Sequence, residues 1–143
     1  MTAPLKILIV GGYGVFGGRI VELLETNPNL TLVVAGRSLA KAEAFCRSRS
    51  KAAALLMAAR FDRDGDVGAQ IARHKAEIVI DASGPFQAYG ENRYRVVEAC
   101  IARKVNYLDL ADGSDFVAGV KALDVPAKAS GSGRCPACRA FPC

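Results

Sequence analysis

Apolar residues fall in two rhythms along the chain. Leu5 to Val10, "LKILIV", is a short continuous apolar run with one lysine near its start. It predicts a strand buried on both faces, as in a parallel sheet. Past a cluster of glycines, Phe16, Ile20, Leu23 and Leu24 recur at i, i+4, i+7 and i+8, one face of a helix. "TNPN" at 26–29 ends that helix, and "LTLVVAG" at 30–36 predicts a second strand. Ser38 is placed to cap a helix whose apolar face is Leu39, Ala42, Phe45 and Cys46.

Residues 52–61, "AAALLMAARF", fit a helix or a strand by composition, and their place in the alternation favours a strand. Asp64 then caps a short helix through Val67 and Ile71. "EIVIDASG" at 77–84 is a fourth strand. Residues 91–104 form a helix with Tyr94, Val97 and Ile101 inward, and "VNYLDL" at 105–110 is a fifth strand. Ser114 and Asp115 open a last helix through Phe116, Val120 and Leu123. Strands and helices alternate with short connections, which predicts a doubly wound parallel α/β sheet (a Rossmann fold). Five strands in the order 3-2-1-4-5, with helices on both faces, place a ligand outside the carboxyl ends of strands 1 and 4.

Composition narrows the class. The 143 residues, 51% hydrophobic and 23% charged, suit one globular domain. No apolar stretch approaches the roughly 18 residues of a membrane span, and the N-terminus lacks a secretory pattern, so the cytoplasm is the expected location. The net charge is +5, but Lys128, Arg134 and Arg139 supply three of those charges in an acid-free stretch at 127–143. No basic stripe with interleaved aromatics remains, which argues against nucleic acid as a partner. The expected division is a dinucleotide-binding domain at 1–126 and an atypical, disordered tail at 127–143. In that tail Cys135 and Cys138 form C-x-x-C, with Cys143 the one near third ligand. That is too few for a zinc site. Cys46 and Cys100 read as small core residues, and His74 as a solvated residue at a helix end, its charge favoured by the dipole.

The glycine cluster carries the chemistry. Gly12, Gly14 and Gly17 spell G-x-G-x-x-G between a strand and a helix, the required setting for a dinucleotide turn. Gly12 permits the tight turn, Gly14 lets a pyrophosphate approach the backbone, and Gly17 lets the helix pack close. Tyr13, Val15 and Phe16 complete the cofactor-facing turn. Strand 2 ends in "VVAGRS", without the carboxylate that an NAD ribose usually meets. Arg37 can pair with a 2′-phosphate, Ser38 can donate to it, and Lys41 adds charge one turn on. NADP(H) is therefore favoured over NAD(H). Asp62, ending strand 3, either reaches the adenine or serves as a turn residue. Ser83, Gly84 and Pro85, followed by Phe86, end strand 4 across the crevice and suit the nicotinamide ribose.

"ILIVGGYGVFGGRIVELL", "VVAGRS", "DASGPFQAYGENRYRVVEAC" and "VNYLDLADGSDFV", in that order, resemble the N-terminal half of the saccharopine dehydrogenase-like oxidoreductases. The resemblance spans about residues 5 to 125. It implies hydride transfer between nicotinamide and a small organic substrate, with a second domain for substrate binding and dimerisation. By position, Gly12, Gly14, Gly17, Arg37, Ser38, Ser83 and Gly84 would line the cofactor. Tyr107, Asp109 and Asp112 would face the substrate cleft, which makes Tyr107 and Asp112 the candidates for proton transfer. The end of the chain departs from the family pattern. One possible coding of 134–143, read two nucleotides in, spells the strand expected there, so the expectation is a frameshifted tail with the substrate domain missing. The alternative function is a non-catalytic dinucleotide-binding sensor or partner module.

Overall fold

A computed structural model of the chain describes residues 3–84, 93–110 and 119. Five strands, β1 (Leu5–Val10), β2 (Leu30–Gly36), β3 (Leu55–Arg60), β4 (Ile78–Asp81) and β5 (Asn106–Asp109), form one sheet. Its order is β3-β2-β1-β4-β5, and all four pairings are parallel. The helices are α1 (Val15–Leu24), α2 (Leu39–Ser48), α3 (Val67–His74) and α4 (Arg95–Arg103). The segment open to either reading is a strand: β3 pairs with β2 from Leu55 to Arg60. The expected last helix lies outside the described residues except for Gly119, which is helical. The 127–143 tail, with Cys135, Cys138 and Cys143, lies wholly outside them.

The continuous apolar runs follow from burial on both faces. Ile7, Ile9, Leu32 and Val34 turn toward Val21 of α1 and Ala42 of α2. Leu8, Val10, Val33 and Ala35 turn the other way, toward Val67 and Ile71 of α3 and Val96, Val97 and Cys100 of α4. Every residue of β2 is buried, as suits a strand inside a parallel sheet.

Several local expectations are corrected. In α1, Phe16 and Leu23 are exposed, while Gly17 and Val21 are buried and Ile20 and Leu24 pack at the edge of the core. The buried stripe centres on Gly17, which a count of apolar side chains passes over. Asp66, not Asp64, caps α3, its Oδ1 accepting from the Ala69 N–H at 2.9 Å. Asp64 sits in the preceding turn, where its N–H donates to Asp62 Oδ1. In α4 the fully buried residues are Val96, Val97 and Cys100, with Tyr94 and Ile101 partly buried. Cys100 is a core residue as expected, and burial pushes its thiol up to about 12. Cys46 is half-buried. His74 is half-buried, and burial, with Arg73 and Lys6 nearby, lowers its pKa rather than favouring its charge.

Candidate functional site

The glycine turn joins β1 to α1 at the carboxyl edge of the sheet. The N–H groups of Gly11 and Gly12 both donate to the Ala35 carbonyl, at 2.8 and 3.1 Å, and lock the turn against the end of β2. The positive φ that the turn needs, +77°, falls on Gly11 rather than Gly12. Gly12 is buried, and a Cβ there would stand 2.9 Å from the Ile9 carbonyl oxygen. At Gly17 a Cβ would overlap the Gly11 carbonyl, so close packing of α1 requires glycine. Gly14 differs from both: it is exposed, and the one atom a Cβ would crowd is the Gly11 carbonyl oxygen, at 3.2 Å. Open space in front of position 14 suits an approaching phosphate.

The first turn of α1 is open to an anion. Its N-cap, Gly14, offers no side-chain hydrogen bond, and no acidic residue lies in that turn. By contrast, Ser38 caps α2 and Asp66 caps α3 through their side chains. The uncapped N–H groups and positive dipole end of α1 are what a pyrophosphate needs. Val15 and Phe16 stand exposed beside them.

Tyr13 ties the glycine turn to the end of β2. Its hydroxyl accepts from the Ser38 N–H at 3.0 Å, and a Cβ on Gly36 would overlap its ring. Ser38 Oγ accepts from the Lys41 N–H at 3.3 Å and keeps its own proton to donate. Arg37 and Lys41 are exposed, and neither side chain makes an ion pair among the described residues. No acid stands between Gly36 and Lys41. The group of Tyr13, Arg37, Ser38 and Lys41 therefore fits a phosphorylated adenosine ribose.

Asp62 is a turn residue here. Its Oδ1 accepts from the Asp64 N–H at 3.0 Å, and its backbone N–H and carbonyl both bond to the Gln70 amide at 2.8 Å. Beside it stands a residue that sequence reasoning missed. Arg63 reaches across to β4 and ion-pairs with Asp81, whose side chain is 1% exposed. It also donates to Ser83 Oγ at 3.1 Å. Ser83 in turn donates to Asp81 Oδ1 through its hydroxyl at 2.5 Å and its N–H at 3.2 Å. "FDRDGD" reads as a solvated charged loop, yet a carboxylate ending the apolar run "EIVID" needs a cation, and that was the available signal. Gly84 is exposed at the end of this segment, whereas Pro85, Phe86 and Asp112 lie outside the described residues.

Tyr107 points into the core, 4% exposed, among the α3 and α4 side chains. Burial, reinforced by the Asp81 and Asp109 carboxylates, raises its pKa well above that of an ordinary phenol. Asp109 lies opposite Asp81 in the β4–β5 register. The described residues hold no His/Cys/Asp/Glu cluster fit for a metal and no helix long and apolar enough to cross a membrane.

The profile of the saccharopine dehydrogenase NADP-binding domain matches residues 7–134. The chain belongs to this family. It is thus an NADP-binding domain of the saccharopine dehydrogenase type. No curated protein matches the sequence. Solved structures share the fold. Yeast methylglyoxal/isovaleraldehyde reductase Gre2, complexed with NADPH, superposes with a TM-score of 0.69 at 13% identity, over 91% of this chain and 52% of its own. An NADPH-dependent quinone oxidoreductase from Escherichia coli gives 0.62 at 18% identity, over 90% and 46%. A short-chain dehydrogenase/reductase family oxidoreductase from Burkholderia thailandensis gives 0.64 at 15% identity, over 92% and 66%. The saccharopine dehydrogenase-type domain therefore spans about half the length of the two NADPH-complexed structures and just under two thirds of the third.

Proposed function

We propose that this domain holds NADP(H) for hydride transfer to or from a small organic substrate, as part of a homodimeric cytoplasmic oxidoreductase. The observation that carries the reading is the carboxyl end of β2, where an exposed Arg37 stands in place of a carboxylate. The α1 N-terminus would take the pyrophosphate, Arg37, Ser38 and Lys41 the 2′-phosphate, and Ser83 and Gly84 the nicotinamide side. When bound, the nicotinamide supplies or accepts the hydride. The chain's own part is to bind and orient it. Asp62 supports the adenine-side turn through its Oδ1 and its backbone. Free cysteines among the described residues suit a reducing compartment.

The burial of Tyr107 favours a second reading, a dinucleotide-binding module that does not itself catalyse. Proton transfer in the first reading falls to Asp112 or to residues beyond this domain. Calorimetry with NADPH and NADH tests the cofactor choice. NADPH should bind more tightly, and Arg37→Ala should weaken it about 10–100-fold, the worth of a charged hydrogen bond, while leaving NADH unchanged. Equal binding of both dinucleotides, unaffected by the substitution, would sink the reading.

A further inference from the structure

We propose that Arg63 is a positioning residue for the nicotinamide half of the cofactor, acting through Asp81 and Ser83. The inference rests on the NADP(H) reading above. The position of the cluster in the sheet is the first argument. Asp81 ends β4, paired in register with Val10 on one side and Asp109 on the other. Val10 is the last residue before the glycine turn, so this cluster stands at the crevice between β1 and β4, where the strand order reverses. The segment after Asp81 is pressed onto that turn. The Ala82 N–H donates to the Val10 carbonyl at 2.9 Å, and a Cβ on Gly11 would lie 2.8 Å from both Ala82 O and Ser83 Cα.

The bonding pattern is the second argument. One guanidinium nitrogen of Arg63 serves both the Asp81 carboxylate and Ser83 Oγ. Its other terminal nitrogen donates to the Arg93 carbonyl at 3.4 Å, and Arg95 donates to the Arg63 carbonyl at 3.1 Å. Arg63 is thereby held from the start of α4 while it holds Ser83. The Ser83 hydroxyl gives its proton to Asp81 and accepts from Arg63, so its direction is set from two sides. A buried ion pair is a poor way to stabilise a sheet edge, because apolar residues of similar volume do as well. It is a good way to fix one hydroxyl beside a ligand.

The test compares two ligands on the purified full chain: NADPH, and 2′,5′-ADP, which has the phosphorylated adenosine and no nicotinamide. Arg63→Met should weaken NADPH about tenfold, the scale of a lost charged hydrogen bond, and leave 2′,5′-ADP within about twofold. Ser83→Ala, which spares the ion pair and the fold, should show the same selective loss. In the double variant the two losses should not add, because both act through one hydroxyl. Equal weakening of both ligands by Ser83→Ala, additive losses, or no loss of NADPH would each overturn the proposal. Should Arg63→Met fail to fold, Arg63→Gln, which also removes the charge, replaces it with the same expectation. A wild-type chain that binds neither ligand overturns the NADP(H) reading itself, and this proposal with it.

Discussion

Gly17 and Gly65 are the same residue type under opposite constraints. A methyl group at 17 would run into the carbonyl of Gly11, which cannot yield because it already sits at φ +77° with its N–H bound to Ala35. A methyl group at 65 would meet nothing nearer than the Gln70 amide nitrogen at 3.4 Å. Gly17→Ala should therefore cost at least about 2 kcal/mol in urea denaturation and lose NADPH binding, while Gly65→Ala stays within about 0.5 kcal/mol. A Gly17→Ala chain as stable as wild type would show that α1 does not pack as described. The need for glycine at 17 was legible in the motif. The left-handed position was not, because G-x-G-x-x-G does not say which glycine of "GGYG" turns the chain.

At the scale of the element, α1 shows where periodicity misleads. Phe16 is 70% exposed and Val21 is fully buried. Phe16→Ser should change stability by no more than about 0.5 kcal/mol. Val21→Ala should cost about 2 kcal/mol from lost burial and the cavity left behind. Urea denaturation of the two variants separates these cases, and a Phe16→Ser cost matching that of Val21→Ala would contradict the helix placement. The Phe16 ring, like Val15, is exposed beside the glycine turn. α3 gives a companion lesson. Three acids precede it, and only contact with the Ala69 amide singles out Asp66 as its cap.

At the scale of the molecule, one ion pair joins elements far apart in sequence. Arg49, after α2, grips Glu25, after α1, through two hydrogen bonds of 2.7 and 2.6 Å. Those bonds lower the Glu25 pKa. The folded chain thus binds this proton less readily than the unfolded chain, and the pair contributes fully above the ordinary carboxylate range near pH 4.3. Its contribution fades as pH falls through the lowered value. Wild type should melt above Glu25→Gln at pH 7, and the gap should close on acidification. A gap that widens in acid would reverse the sign argued here.

The alternation of strands and helices, the glycine turn and the cation after β2 were all determined by the sequence itself. Each depends on neighbours in the chain: an apolar run buried on both faces, a glycine pattern between strand and helix, an arginine where a carboxylate would stand. What the tertiary structure alone decided involves pairs that the chain keeps apart. Arg63 and Asp81 are 18 residues apart with α3 between them, and they meet only because sheet order and register bring those loop and strand ends together. Tyr107 is in the same position: the β5 register sends its ring toward α4 and the core, and no local pattern distinguishes that from a cleft.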